Sequence, residues 1–187
     1  MFSRATRLLF GRQLRGKRLG IVGYGRIGAL LAGYAHALGM EVVACDRDPK
    51  KIVPPAKALS LEELLKTSEV ISIHVTADPD NKHLLDAAAL ASTRQGAFVL
   101  NTARGSLVDE AALADAVASG HLAGVAVDVL EGEERGAPQS SPLLAAARAG
   151  HNVLITPHIG GATYEAIRQA ECAVIAVLAA SLKGARS

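Results

Sequence analysis

The sequence predicts an α/β domain built on a doubly wound parallel sheet, and three observations carry that expectation. Short β-branched runs alternate with helical stripes along almost the whole chain, the signature of repeated strand–helix–strand units. The runs are too uniformly apolar for strands with one face in water, as expected where helices cover both faces of a parallel sheet. The first run leads straight into Gly23-Tyr24-Gly25-Arg26-Ile27-Gly28, a G-x-G-x-x-G at a strand-to-helix junction.

Taken in order, strands are expected at Arg18 to Val22, Glu41 to Cys45, Val70 to His74, Ala97 to Leu100, Gly124 to Val127 and Val153 to Ile155. Between the first two, Ile27, Leu30, Leu31, Tyr34 and Leu38 recur at helical spacing and Gly39 supplies the stop, giving one amphipathic helix. Further helices are expected at Leu61 to Lys66, Asp86 to Ala91, Glu110 to Ser119 and Tyr164 to Leu182. One long irregular stretch, Glu131 to Ser141, interrupts a chain otherwise economical with loops, and long loops in compact domains are often functional.

A chain of 187 residues, 50% apolar, 20% charged and 3% aromatic, can bury one sizeable core of Ala, Val, Leu and Ile. A net charge of +2 without basic runs interleaved with aromatics argues against nucleic acid. The longest apolar run, Cys172 to Ala180, is far short of the roughly 20 residues of a membrane span, so no membrane partner is expected. Cys45 and Cys172 are isolated, which excludes a disulfide framework or a CxxC metal site and fits a reducing, cytoplasmic compartment. The first forty residues hold seven Arg or Lys and no acid. Their opening, MFSRATRLLFGRQLRG, reads as an organelle transit peptide or, equally well, as a basic connector. The connector is adopted for residues 1–15, with 16–187 as the dinucleotide-binding domain.

At the strand-to-helix junction, Gly23 permits the tight turn, Gly25 lets the backbone approach a pyrophosphate, and Gly28 lets helix and strand pack closely. The helix N-terminus then offers unpaired N–H groups and partial positive charge to phosphates. Asp46, eighteen residues past Gly28 at the end of the second strand, is placed to accept bonds from ribose hydroxyls and to repel a 2′-phosphate. The Rossmann-type reading therefore favours NAD, with Arg47 as the argument for NADP. Hydride chemistry on an acid also needs a proton donor and a cation at the carboxyl ends of strands, and His158 and Arg104 stand there. His36, His83, His121 and His151 lack metal-ligand spacing and read as ordinary surface or helix residues; no metal is expected.

Five ordered segments, GKRLGIVGYGRIG, VISIHV, GAFVLNTARGSLVDEAAL, LAGVAVDVLEGE and NVLITPHIGGAT, resemble the nucleotide-binding domain of the D-isomer-specific 2-hydroxyacid dehydrogenases, the phosphoglycerate, glycerate and formate dehydrogenase family, over about Leu14 to Gly184. The resemblance implies an NAD-dependent oxidoreductase acting on a small 2-hydroxy or 2-oxo acid. It places the catalytic set at Arg104, Glu133 and His158, with His158 as general acid, Glu133 holding the imidazole and Arg104 clamping the substrate carboxylate. Family members usually carry Pro after this Glu, whereas here the run is Glu131-Gly132-Glu133-Glu134-Arg135. The register past Asp128 selects Glu133, with Glu134 as the alternative. Around the cofactor the resemblance implies Arg26, Ile27, His74, Thr76, Thr102, Ala103, Arg104, Asp128, His158 and Gly160. Asp128 would lie near the nicotinamide carboxamide, and Thr76 stands where relatives usually have Pro, leaving a less rigid loop.

Relatives also carry a substrate-binding domain that this chain is expected to lack in large part. The isolated chain is therefore expected to bind NADH, to turn over feebly, and to associate as a homodimer that covers the apolar helix Cys172 to Ala180. The competing reading is an NAD(H)-binding module without turnover, serving as a redox-sensing or assembly partner.

Overall fold

The computed structural model describes residues 11–133, 136 and 140–184. Residues 1–10 of the basic opening, and Glu134, lie outside the described residues. Seven parallel strands form one sheet: β1 (Arg18–Val22), β2 (Glu41–Cys45), β3 (Lys57–Ala58), β4 (Val70–Ile73), β5 (Ala97–Asn101), β6 (Leu122–Val127) and β7 (Val153–Ile155), in the order β3-β2-β1-β4-β5-β6-β7. The chain thus winds outward from β1 in one direction and from β4 in the other. The carboxyl ends of β1 and β4 flank the point of reversal, where doubly wound sheets open a crevice. Among the described residues, six α-helices connect or follow the strands: α1 (Arg26–Ala37), α2 (Leu61–Thr67), α3 (Ala87–Ala91), α4 (Glu110–Ala118), α5 (Pro142–Arg148) and α6 (Tyr164–Gly184).

Side-chain alternation along β1 and β2 divides the interior in two. Leu19, Ile21, Val42 and Ala44 join Ala32 and Ala35 of α1 in one core, while Val22 and Val43 join Leu64 and Leu65 of α2 in the larger core on the other face. Gly20 is the residue where α2 comes closest, since a Cβ there would run into the Leu64 side chain. Capping follows local chemistry: Ser60 and Glu63 form a reciprocal capping box at α2, and Asp86 and Asp109 accept the N–H groups of Ala89 and Ala112 at α3 and α4.

Besides the two-residue edge strand β3, too short for an apolar run to announce it, three features differ from the sequence expectation. The stripe Ile27, Leu30, Tyr34 and Leu38 does not face the sheet: these side chains are 66, 61, 67 and 56% exposed, and α1 meets the strands through Gly28, Ala32 and Ala35. Small residues win that face because the helix must lie close to β1; a Cβ on Gly28 would collide with the Gly23 carbonyl. The described residues do not cover the sheet on both sides along its length, for Leu100, Ala126 and Leu154 align across β5, β6 and β7 with Leu154 63% exposed. Finally, α5 was not expected. Its seven residues are too few for periodicity to register, although Ser141 caps it, Pro142 begins it and Gly150, at φ 88°, follows it.

The described part of α6 is exposed throughout, including Tyr164, Val174 and Leu178. No helix among the described residues is long and apolar enough to cross a membrane.

Glu110, in the first turn of α4, is almost fully buried. Burial pushes its carboxyl above the ordinary glutamate value, outweighing the bonds from Ser141 and the Glu131 N–H. A raised folded-state value means that stability is full in acid and is lost as pH climbs from the unfolded value through the folded one. Replacing Glu110→Gln should therefore improve in stability relative to wild type as pH rises from about 4 to about 7. Denaturant midpoints at the two pH values measure this, and a gap moving the other way refutes it.

Candidate active site

The carboxyl end of β1 turns sharply through Gly23, whose φ of 96° is open to glycine and strained for other residues. Its Cα also lies against the His74 backbone, so a Cβ would meet the His74 carbonyl at 2.7 Å. Beyond it Gly25 caps α1 with no side-chain bond, no acidic residue fills the first turn, and a Cβ on Gly25 would meet nothing within 4 Å. The first-turn N–H groups lie outside the helix's own bonding, and Arg26 and Ile27 are exposed beside the open Gly25, a cradle that fits a pyrophosphate.

Asp46 lies just past β2 and closes the other side. Its Oδ2 accepts the Tyr24 N–H at 2.8 Å and its Oδ1 the Asp48 N–H at 3.0 Å. Partial burial raises this carboxyl, but those two N–H groups, with Lys51 and Arg47 nearby, bring it below the ordinary aspartate value, so it stays anionic. Arg47 points to Asp78, 3.4 Å away. His74, after β4, has its Nε2 2.8 Å from Ser72 Oγ, and burial lowers its pKa, keeping it neutral at physiological pH. Thr76 is exposed, and the loop it begins is held by Asn81, whose side chain donates to the Thr76 carbonyl and accepts the Asp78 N–H. That pair supplies stiffness where relatives would have Pro. Cys45, half-buried beside the loop, is pushed up to about 11 by burial and is inert as a nucleophile. Cys45 and Cys172 are both free.

Beyond β5, Asn101 is buried and wraps the turn, its Oδ1 accepting the Ala103 N–H and its Nδ2 donating to the Arg104 carbonyl. Thr102, Ala103 and Arg104 therefore sit on one fixed turn, with the Arg104 guanidinium exposed.

Asp128, at the carboxyl end of β6, is 6% exposed. Its Oδ1 accepts from Thr156 Oγ1 and from the Ile159 N–H at 2.9 Å, and its Oδ2 accepts the Gly160 N–H at 2.8 Å. Burial would raise this carboxyl, but the three donors and nearby His158 hold it below the ordinary aspartate value. Its carbonyl takes the His158 N–H as well. These bonds force the loop after β7 into a tight path in which His158 has φ 54°, a left-handed conformation that costs a non-glycine residue about 1–3 kcal/mol. The result is a contact between the two residues that the family resemblance pairs, Glu133 and His158. His158 Nδ1 lies 2.6 Å from Glu133 Oε1, while Glu133 Oε2 accepts the Leu130 N–H at 3.0 Å.

Arg104, Glu133 and His158 line one cleft of about 1060 Å³, with Ala77, Lys82 and Ser106 among its other walls. The phosphate loop and Asp46 lie apart from that cleft, at the ends of β1 and β2. Asn101, Thr156, Glu131 and His83 were missed as site residues: Asn101 acts through its side-chain amide on the Ala103 and Arg104 backbone, Thr156 through its hydroxyl on Asp128, and Glu131 pairs with His83 at 3.0 Å across 48 positions of sequence. Only the NTARG and ITPH context pointed toward Asn101 and Thr156. Among the described residues no three His, Cys, Asp or Glu side chains gather as metal ligands.

A D-3-phosphoglycerate dehydrogenase of Haemophilus influenzae is 44% identical over 155 residues, 82% of this chain and 37% of that protein. A Mycobacterium tuberculosis D-3-phosphoglycerate dehydrogenase is 42% identical over 163 residues, covering 83% of this chain and 29% of its own length. The chain therefore spans well under half the length of these relatives. Among solved structures, a D-lactate dehydrogenase from Aquifex aeolicus complexed with NAD and lactic acid superposes with a TM-score of 0.83 at 32% identity, over 97% of this chain and 60% of that one. An NAD-dependent formate dehydrogenase from Staphylococcus aureus in complex with NAD gives 0.83 at 30% identity, over 95% and 52%. The family described as "D-isomer specific 2-hydroxyacid dehydrogenase, NAD binding domain" matches residues 3–160, and the chain belongs to that family of NAD-binding domains.

Proposed function

We propose that residues 16–187 form the dinucleotide-binding part of a dehydrogenase that interconverts a small 2-hydroxy acid and its 2-oxo acid. The observation that carries this reading is the 2.6 Å contact of His158 Nδ1 with Glu133 Oε1 in the cleft that Arg104 also lines. With Nδ1 held by a carboxylate, the imidazole has one tautomer and one orientation, and Nε2 is left to give or take the proton of the substrate oxygen. Arg104 offers a planar fork to the substrate carboxylate. NAD, when bound, supplies or accepts the hydride. Gly23, Gly25, Arg26, Ile27, Gly28 and Asp46 would hold its phosphate and ribose portion, and His74, Thr76, Thr102, Ala103, Asp128 and Gly160 would border the remainder. NAD is preferred over NADP in this reading because Asp46 is anionic and Arg47 is engaged by Asp78. The names of the relatives, D-3-phosphoglycerate and D-lactate dehydrogenase, support the acid class. Turnover is favoured over a silent cofactor module because the His–Glu pair has no use in binding alone.

Steady-state oxidation of NADH with a panel of small 2-oxo acids tests the activity. His158→Ala should lower kcat by about 10²–10⁴-fold, the range for losing a general acid, with NADH affinity by fluorescence unchanged. A variant with full activity would remove His158 from the mechanism.

We further infer a homodimer working in the cytoplasm. The free cysteines support a reducing compartment, and two apolar surfaces support self-association: the outward stripe of α1 and the exposed α6. Apolar area left in water costs about 25 cal/mol per Å². Light scattering should show a dimer, and Val174→Glu with Leu178→Glu, one turn apart on α6, should reduce it to a monomer. A monomeric wild-type chain rules this out.

A further inference from the structure

We propose that Glu131 is a positioning residue, clamping the loop that carries Glu133 to the turn that carries Arg104 and so setting the His158–Glu133 contact. The inference rests on the functional reading above. Both oxygens of the Glu131 carboxylate are taken: Oε2 lies 3.0 Å from His83 Nε2 and Oε1 3.3 Å from Lys82 Nζ. The Glu131 N–H reaches Glu110 Oε1 at 3.4 Å.

His83 is itself fixed. Its N–H donates to the Ser106 carbonyl at 2.8 Å, and its backbone sits in the left-handed region at φ 51°. Between Arg104 and Ser106, Gly105 lies so close to the Leu130–Glu131 peptide that any Cβ would collide with it. One carboxylate thereby ties together the segments 82–83, 104–106 and 130–133.

The need for such a tie follows from Gly132, at φ 77°, between Glu131 and Glu133. Glycine gives the loop little preference of its own, so the path to Glu133 is set by what holds the residue on its other side. Solitary exposed ion pairs contribute little. Here the Glu131 and His83 side chains are about two-thirds covered, and the carboxylate is held from two directions. Burial pushes the Glu131 carboxyl up, and the bonds from His83 and Lys82 more than reverse this, leaving it below the ordinary glutamate value.

The test reads the pair without depending on turnover. The proton shared by His158 Nδ1 and Glu133 should give a low-field NMR resonance in the full chain, assigned by its loss in His158→Ala and in Glu133→Gln. Glu131→Gln should broaden or remove it while NADH affinity stays unchanged. With 2-oxo acids, kcat in that variant should fall about tenfold at unchanged KM, a fraction of the roughly 10²-fold that 1 Å of misplacement can cost. Lys82→Met, which removes one partner, should show a smaller loss. If Glu131→Gln fails to fold or to bind NADH, His83→Gln is read in its place. An intact resonance and unchanged kcat in a folded variant overturn the clamp alone. A wild-type chain lacking the resonance overturns the His158–Glu133 pair, and the functional reading with it.

Discussion

The arrangement of this molecule's active end depends on one buried charge. Asp128 sits at the end of β6 with its carboxylate withdrawn from water, a placement that is strongly unfavourable unless donors replace the lost hydration. Three donors do so, and all come from the loop after β7. Asp128 is joined to β5 through its own N–H, which donates to the Asn101 carbonyl at 3.0 Å, so the loop holding His158 is referenced to the strand that leads to Arg104. Gly160 fits the same constraint from the other side, since a Cβ there would press within 2.9 Å of Asp128 Oδ2. The sequence reading placed Asp128 beside the cofactor. Its Oδ1 takes two donors of its own chain and its Oδ2 takes one, so besides any contact with a ligand it sets the shape of the loop it holds.

The phosphate end is built by different means. There the binding surface is backbone, and side chains are mostly excluded: two glycines allow close approach of helix and strand and a third leaves space. Asp46 links the parts, taking the N–H of Tyr24 inside the glycine loop, while the Tyr24 hydroxyl donates to the Val53 carbonyl at 3.0 Å. Loss of the Tyr24 hydroxyl would disturb the cradle without removing a group placed against a ligand.

Much of this was legible in the sequence, for a physical reason in each case. Parallel strands are long enough and apolar enough to announce themselves, and β1, β2 and β7 have the expected bounds. The glycine loop is legible because backbone geometry restricts the residue type. What stayed hidden depends on partners far apart in the chain. Periodicity identified the apolar stripe of α1 but not the direction it faces, and the sheet chose Gly28, Ala32 and Ala35 because close packing outweighs the area that Leu30 and Tyr34 would bury. His83 read as an ordinary surface histidine because nothing near it in sequence is acidic in the right register; Glu131 becomes its neighbour only after β4, β5 and β6 are side by side.

The two cores also differ in size, and local unfolding follows buried apolar contact. The core shared by α1, β1 and β2 is the smaller, and it carries both the glycine loop and Asp46. The strands leading to Arg104 and Asp128 belong to the larger core, which also takes Val22 of β1 and Val43 of β2, so α1 is the element at the glycine loop that rests on the smaller core alone. Amide hydrogen exchange in α1 would then respond to ligand occupancy, and the affinity measured for a dinucleotide would include the work of ordering that helix.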